Sequence, residues 1–194
     1  GPDYSSMMRL NGYISGTLKP VENMGTGGSS YIIKNSDVYV RTGKTLIINP
    51  GTVIKFDKGS GARGIIVNGT LTADGTSDSL IYFTSIDDNS VGGSTGDGTP
   101  SDDEWEEIYF DGYYDASYES DVSNSLMDYC VVRYGGENNT GNIYIRNASP
   151  TISNSDISYS GDEGIYLYTE YGNTVAPSIS GNTIHHNTTD GLYG

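Results

Sequence analysis

Short apolar pairs divided by Gly, Asn and Ser recur through the last third of the chain. Leu126-Met-Asp-Tyr-Cys-Val131-Val-Arg-Tyr-Gly135 is followed by Ile152-Ser-Asn-Ser-Asp-Ile157-Ser-Tyr-Ser-Gly161, then by Ile179-Ser-Gly-Asn-Thr-Ile184-His-His-Asn187. Leu126 and Ile152 stand 26 residues apart, Ile152 and Ile179 27. A second unit lies between these segments: Gly141-Asn-Ile-Tyr-Ile145, Gly164-Ile-Tyr-Leu167 and Gly191-Leu-Tyr193. The apolar runs are too short for helices and rich in β-branched residues, so they predict strands of three to five residues with Gly/Asn turns between them. One such repeat cannot bury its apolar face alone, whereas stacked repeats can. The pattern therefore predicts an all-β fold, a single right-handed parallel β-helix solenoid of about seven coils with three short strands each. A leucine-rich repeat would show several leucines per repeat at fixed spacing, and this chain does not.

Residues 31–83 predict strands throughout. Val38-Tyr-Val40 is one, and Thr45-Leu-Ile-Ile-Asn-Pro-Gly-Thr-Val-Ile-Lys-Phe56 is two around a Pro-Gly turn. Gly64–Leu71 and Leu80–Ser85 continue the series. The solenoid is expected over 31–194, with 3–30 as a lead-in or cap in which Asn11–Leu18 is an entry strand and Gly25–Ser30 is flexible. Gly1-Pro2 reads as a protease-cleavage scar. Two stretches break the pattern. Residues 86–104 are rich in Gly, Ser and Asp and are expected to project as a long loop. A second insert, near 111–124, carries Tyr113, Tyr114 and Tyr118. No capping segment follows Gly194, which suggests a fragment of a longer protein or an end stacked against a partner.

Charge narrows the partners. Ten Lys and Arg against 25 Asp and Glu give a net charge of −15 in 194 residues. Such a balance argues against nucleic acid and anionic membranes, and keeps a chain soluble. No apolar run is long enough to cross a bilayer as a helix, so no membrane insertion is expected. The single Cys130 allows no internal disulfide. Seventeen tyrosines beside three phenylalanines and one tryptophan suit the hydroxylated surface of an exported β protein.

Several motifs resemble one large family. They are Leu46-x-Ile48-x-Pro50-Gly51-Thr52-Val53-Ile54-x-Phe56, Ile65-x-Val67-x-Gly69-Thr70-Leu71-x-Ala73-x-Gly75-Thr76, and Ile81-x-Phe83-Thr84-Ser85. Trp105-Glu-Glu-Ile-Tyr-Phe110, Asp128-Tyr-Cys130 and Arg133-Tyr-Gly-Gly136 extend the likeness over roughly residues 36–194. The chain resembles bacterial and archaeal surface or secreted proteins with pectate-lyase-like parallel β-helix repeats. The resemblance implies that fold and an extracellular or cell-surface location. It leaves function open, because many activities share the scaffold.

Four constellations bear on chemistry. In Ile81-Tyr82-Phe83, Ile108-Tyr109-Phe110, Ile143-Tyr144-Ile145, Ile165-Tyr166-Leu167 and Leu192-Tyr193 the flanking apolar residues should point inward and each Tyr outward. If the strands are equivalent, Tyr82, Tyr109, Tyr144, Tyr166 and Tyr193 form one stripe, a platform for sugar rings. The plainer reading is that Tyr favours strands and packs well across them. Second, Asp97, Asp102, Asp103 and Glu104 offer hard oxygens for Ca²⁺, without the fixed order of a dedicated calcium loop. A solvated acidic loop is the alternative, and no cofactor is required. Third, the lyases of the resembled fold use a Lys or Arg base beside calcium. Arg133 is the candidate base here, with a surface ion pair as the alternative. The polygalacturonase branch carries Gly-His-Gly and Arg-x-Lys, which this chain lacks. Fourth, His185 and His186 are adjacent on a strand, which turns them to opposite faces and makes them a poor pair for one metal. Asn35, Asn154, Asn182 and Asn187 sit at turns, where stacked amides satisfy backbone groups. Asn187-Thr-Thr189 also fits a glycosylation triplet.

The combined expectation is a non-catalytic module that binds polysaccharide or cell-envelope glycan, or serves as scaffold or adhesin. Its C-terminal coil is a possible surface for end-to-end stacking. A part of a polysaccharide lyase or glycoside hydrolase is the alternative.

Overall fold

The computed structural model describes residues 8–21, 29–58, 64–112, 121–137, 140–170 and 175–194. Gly1-Pro2, residues 25–28 and the insert tyrosines Tyr113, Tyr114 and Tyr118 lie outside them. The described chain is all-β. β1 (Met8–Tyr13) and β2 (Gly16–Leu18) precede the long β3 (Tyr31–Val40). β4 (Thr45–Ile48), β5 (Val53–Phe56), β6 (Ile65–Val67), β7 (Thr70–Asp74) and β8 (Ile81–Ser85) follow closely. After the 86–104 stretch come β9 (Ile108–Asp111), β10 (Leu126–Asp128), β11 (Cys130–Arg133) and β12 (Ile143–Arg146). The chain closes with β13 (Thr151–Ser153), β14 (Asp156–Ser158), β15 (Ile165–Tyr168), β16 (Ser178–Ser180), β17 (Thr183–His185) and β18 (Leu192–Tyr193).

All pairing between these strands is parallel, and from β3 onward each strand pairs with the strand three places further on. β4, β7, β10, β13 and β16, extended by β2, form one six-stranded sheet. The remaining strands form a twelve-stranded sheet with two flanks. One runs β5, β8, β11, β14, β17 and the other β6, β9, β12, β15, β18. β3 belongs to both flanks, pairing with β5 through Tyr31–Ile33 and with β6 through Val38–Val40. Between these halves Asn35 sits at φ 63°. Asn tolerates this left-handed conformation better than most residues, so it can turn the strand without ending it.

Alternation along each strand fills the interior with columns of like residues. Val38, Ile65, Ile108, Ile143, Ile165 and Leu192 pair in series. Ile54, Phe83, Val132, Ile157 and Ile184 form a second column, and Ile48, Ala73, Met127, Ile152 and Ile179 a third. Most are fully buried. Trp105 is buried as well, its ring stacked on Phe56 at a centroid distance of 4.0 Å and its indole N–H donating to the Arg133 carbonyl. Side-chain amides serve the corners. Asn142 accepts from the Gly135 N–H and donates to the Ser158 and Val132 carbonyls, and Asn182 accepts from the Ser155 N–H and donates to the Ile152 carbonyl. Asn187 accepts from the Ser160 N–H, and its own amide nitrogen is buried. That inward aim leaves no amide for a glycan on Asn187 in the folded chain.

The described part of the lead-in is built into the sheets. β1 pairs with β3 and β2 with β4, so residues 8–18 join both sheets. Residues 86–104 form no strand, as expected, but they do not project. They fold back over β5, where they bury Ile86, Asp88, Thr95 and Glu104. The anchor is Lys55, fully buried, whose ammonium donates to the carbonyls of Asp88 (2.8 Å) and Gly93 (2.9 Å) and to Thr95 Oγ1 (2.7 Å). Periodicity misses such a contact because the buried surface is polar.

Candidate functional site

The tyrosine motif lies on the flank of β6, β9, β12, β15 and β18. Tyr109, Tyr144, Tyr166 and Tyr193 pair directly, the first three each on the outward position between two inward apolar residues. The row continues backwards to Ile66, Tyr39 and Tyr13. Six tyrosines and one isoleucine therefore share one column. Tyr82 is the correction. It pairs with Val53 and Val131 on the other flank, because Ile81-Tyr82-Phe83 is the third strand of its repeat and not the first. Local sequence is the same in both places, so only the count of strands distinguishes them.

The rings do not form the flat platform anticipated from the sequence. Tyr109 and Tyr144 stack on one another at 4.5 Å with an interplanar angle of 11°, and Tyr166 and Tyr193 at 5.3 Å with 16°. Tyr144 meets Tyr166 edge-on at 5.4 Å. Faces pressed together cannot stack on a ligand. Burial raises the phenol of Tyr144 to about 12 and raises that of Tyr109 further, even though Arg146 donates to the Tyr109 oxygen at 3.3 Å. Arg146 also pairs with Glu170 at 2.5 Å.

The column breaks at Ile66. Its aliphatic side chain is shorter than the tyrosines on either side, and a cleft of about 490 Å³ opens above it. Tyr39 and Tyr109 flank Ile66 on the neighbouring strands, and Arg41, Thr42, Asn68 and Asp111 also line the cleft. Tyr39 donates to Asp37 Oδ2, which fixes the ring from behind. Asn68 donates to Asp111 Oδ2 at 3.2 Å, so an amide and a carboxylate stand together. Arg41 is exposed, and its guanidinium lies over the Tyr13 ring at 3.4 Å. A smaller cleft of about 200 Å³, lined by Tyr13, Ile14, Ser15, Arg41 and Lys44, adjoins it through Arg41. Gly69 holds this corner tight: a Cβ there would lie 2.2 Å from the Arg41 carbonyl oxygen and 2.3 Å from that of Lys44. Sequence reasoning missed Tyr13, Tyr39 and Ile66. Val38-Tyr-Val40 carries the signal for Tyr39, but an outward isoleucine carries none.

The acidic residues proposed for calcium do not converge. Asp97 caps its own turn, accepting from the Thr99 N–H (2.8 Å) and Oγ1 (2.6 Å). Glu104 is buried and accepts from the Ser85 hydroxyl and from the Ser101 N–H and hydroxyl. Asp103 occupies a left-handed position at φ 73°, and burial raises the Asp102 carboxyl, His186 opposing it. Among the described residues no group of three or more His, Cys, Asp or Glu is placed to hold a metal ion. Arg133, the candidate base, donates from Nη2 to Asp88 Oδ2 at 2.5 Å and from Nε at 2.9 Å. Burial alone would raise the Asp88 carboxyl. Hydrogen bonds from Ser90 and Thr84, with the Arg133 charge, outweigh it and hold the group below the usual carboxylate range. Arg133 is thus committed to fastening the 86–104 stretch.

The histidines also depart from expectation. His186 sits at φ 53°, which breaks the strand alternation and brings its ring against that of His185. His185 Nε2 contacts Asp156 Oδ2 at 2.9 Å. Tyr134, Tyr159 and His186 occupy the same left-handed corner after β11, β14 and β17, with rings stacked at 5.4 and 5.2 Å. Tyr134 and Tyr159 are of a type that rarely adopts that backbone, which costs of order 1–3 kcal/mol each. Ring stacking down the corner offsets part of it.

The chain matches no family model, no curated protein and no solved structure. Among the described residues no helix is long and apolar enough to cross a membrane.

Proposed function

We propose that this chain is a right-handed parallel β-helix module, working outside the cell or at its surface, that binds polysaccharide without cleaving it. The pairing of each strand with the strand three further on supports the coil-by-coil reading, since such a register is what three short strands per coil require. The cleft at Ile66 carries the functional reading. Aromatic rings on two sides, with hydroxyl, amide, carboxylate and guanidinium groups around the rim, suit a sugar, which presents C–H faces and hydroxyl edges. The commitment of Arg133 to Asp88 weighs against a lyase base. A scaffold or adhesin role is compatible with the same surface.

One buried carboxyl favours the alternative of a glycoside hydrolase. Glu107 is raised to about 7, by burial first and by the nearby Glu106 and Asp37 charges, and so has the character of a general acid. It does not line the cleft.

Incubation with a panel of neutral and acidic polysaccharides, with and without Ca²⁺, separates these readings when retention and new chain ends are both followed. Retention without new ends, reduced in a folded Tyr109→Ala variant, is the expected result. Release of new ends would make the protein an enzyme, and absence of retention across the panel would remove the binding role.

A further inference from the structure

Independently of the polysaccharide reading, we propose that the two ends of the strand stack are complementary surfaces for self-association. The free edge of β16, β17 and β18, the tail, takes the free edge of β1 and β2, the head, of a second copy. Among the described residues β1 and β2 are paired on one side only, by β3 and β4. β16, β17 and β18 are paired only on the opposite side, by β13, β14 and β15. A strand in a parallel sheet offers different backbone groups to its two sides, so the edge left open at the tail is the counterpart of the one left open at the head. The interior is also unfinished at both ends. The described hydrophobic residues that pack only partly against the core all belong to the first coil or the last two, Leu10, Leu18, Ile179 and Ile184 among them. Of the six exposed large apolar or aromatic residues, four lie on end strands: Met8, Tyr13 at 64 %, Leu192 and Tyr193 at 50 %.

Carrying each register one strand further sets like on like. Ile184 would meet Met8 of the second copy, at the far end of its own column. Ile179 would meet Leu18 in the same way. Tyr193 would meet Tyr13, so the tyrosine column would run on through the junction. Charge sets the direction. In residues 1–58 seven Lys and Arg stand against four Asp and Glu, whereas residues 147–194 hold five Asp and Glu and no Lys or Arg. Tail on tail brings acid to acid and head on head brings base to base, so only head to tail joins unlike ends. At the seam Arg9, exposed on β1, would meet His185, which Asp156 holds at 2.9 Å. A contact between two different surfaces is not closed by two copies, so it builds open rods along the stack.

The test is sedimentation velocity over a series of protein concentrations, at low and high salt. The wild type is expected to associate more as concentration rises and less as salt is added. Two variants each block one end. Met8→Glu with Arg9→Glu puts acids on the head, and Leu192→Lys with Tyr193→Lys puts bases on the tail. All four positions are exposed, so folding is expected to survive, and circular dichroism checks it. Each variant alone should stay monomeric where the wild type associates. Mixed, they should form a dimer that grows no further, because one intact head and one intact tail remain between them. A wild type that is monomeric at every concentration overturns the proposal. Association of either variant alone overturns it too, since that is the behaviour of a symmetric contact, and so does a mixture that stays monomeric. Association that strengthens with salt overturns charge as what sets the direction.

Discussion

Lys55 offers the sharpest test of how the 86–104 stretch is held. Its ammonium is buried beneath the stretch and satisfied by two carbonyls and a hydroxyl, with no carboxylate in direct contact among the described residues. Burial lowers it from 10.5 to about 8, the Arg133 charge adding to the effect and Asp88 opposing it. Between these values the unfolded chain binds the proton and the native chain does not, so stability rises with pH. The slope approaches 1.4 kcal/mol per pH unit, and integration from pH 8 to 10 gives about 2 kcal/mol. For a chain of this size that is about 6 °C in thermal midpoint. Burial also pushes the Cys130 thiol far up, which makes stability fall above about pH 9 and masks the gain in the wild type alone. The informative quantity is therefore the difference between wild type and Lys55→Met, since Cys130 is common to both. Denaturant titrations at half-unit steps from pH 7 to 10 should show the wild type gaining about 2 kcal/mol on the variant. A difference that stays flat with pH would show that the lysine keeps an ordinary pKa and that the stretch does not seal it from water.

Glu107 should give the opposite slope. Its pKa is raised from 4.5 to about 7, so the native state holds a proton that the unfolded state has released, and stability is lost as pH rises through 7. Glu107→Gln should therefore be stabilising by about 2 kcal/mol more at pH 8 than at pH 5, measured by urea unfolding; an equal effect at both would refute the burial argument. Trp105→Ala removes a fully buried ring stacked on Phe56 and one indole hydrogen bond. It should cost about 3–5 kcal/mol and lower the thermal midpoint by roughly 10 °C, read by calorimetry.

Much of the strand pattern was legible because alternation and turn chemistry are local. Ile143-Tyr-Ile145 and Ile165-Tyr-Leu167 each place one Tyr between two inward residues, and their spacing brings them into register. Tyr82 shows the limit. Its triplet is identical in kind, but which flank it joins depends on how many strands precede it, and residues 86–107 intervene before β9 renews the tyrosine column. The cleft was illegible for another reason. It is made by what position 66 lacks, and the absence of a ring is visible only beside its neighbours. The pairing of His185 with His186 was hidden because alternation assumes extended backbone, and φ at His186 is positive. The packing of residues 86–104 was hidden because Lys55 and polar acceptors, not apolar residues, bury it.

The three-apart pairing has a mechanical consequence. From β6 onward a strand pairs only with the strands three before and three after it, with no strand partner reaching further along the chain. Tension applied through the two ends would load those bonds a few at a time, peeling strands from one side like a zipper instead of shearing a whole sheet at once. The extension trace should be a staircase of short rips. The longest would release the stretch between β7 and β10, where the most chain is stored between successive grips. Within that stretch Lys55 and Arg133 fasten residues 86–96 and would delay the release, as a stitch does in a seam.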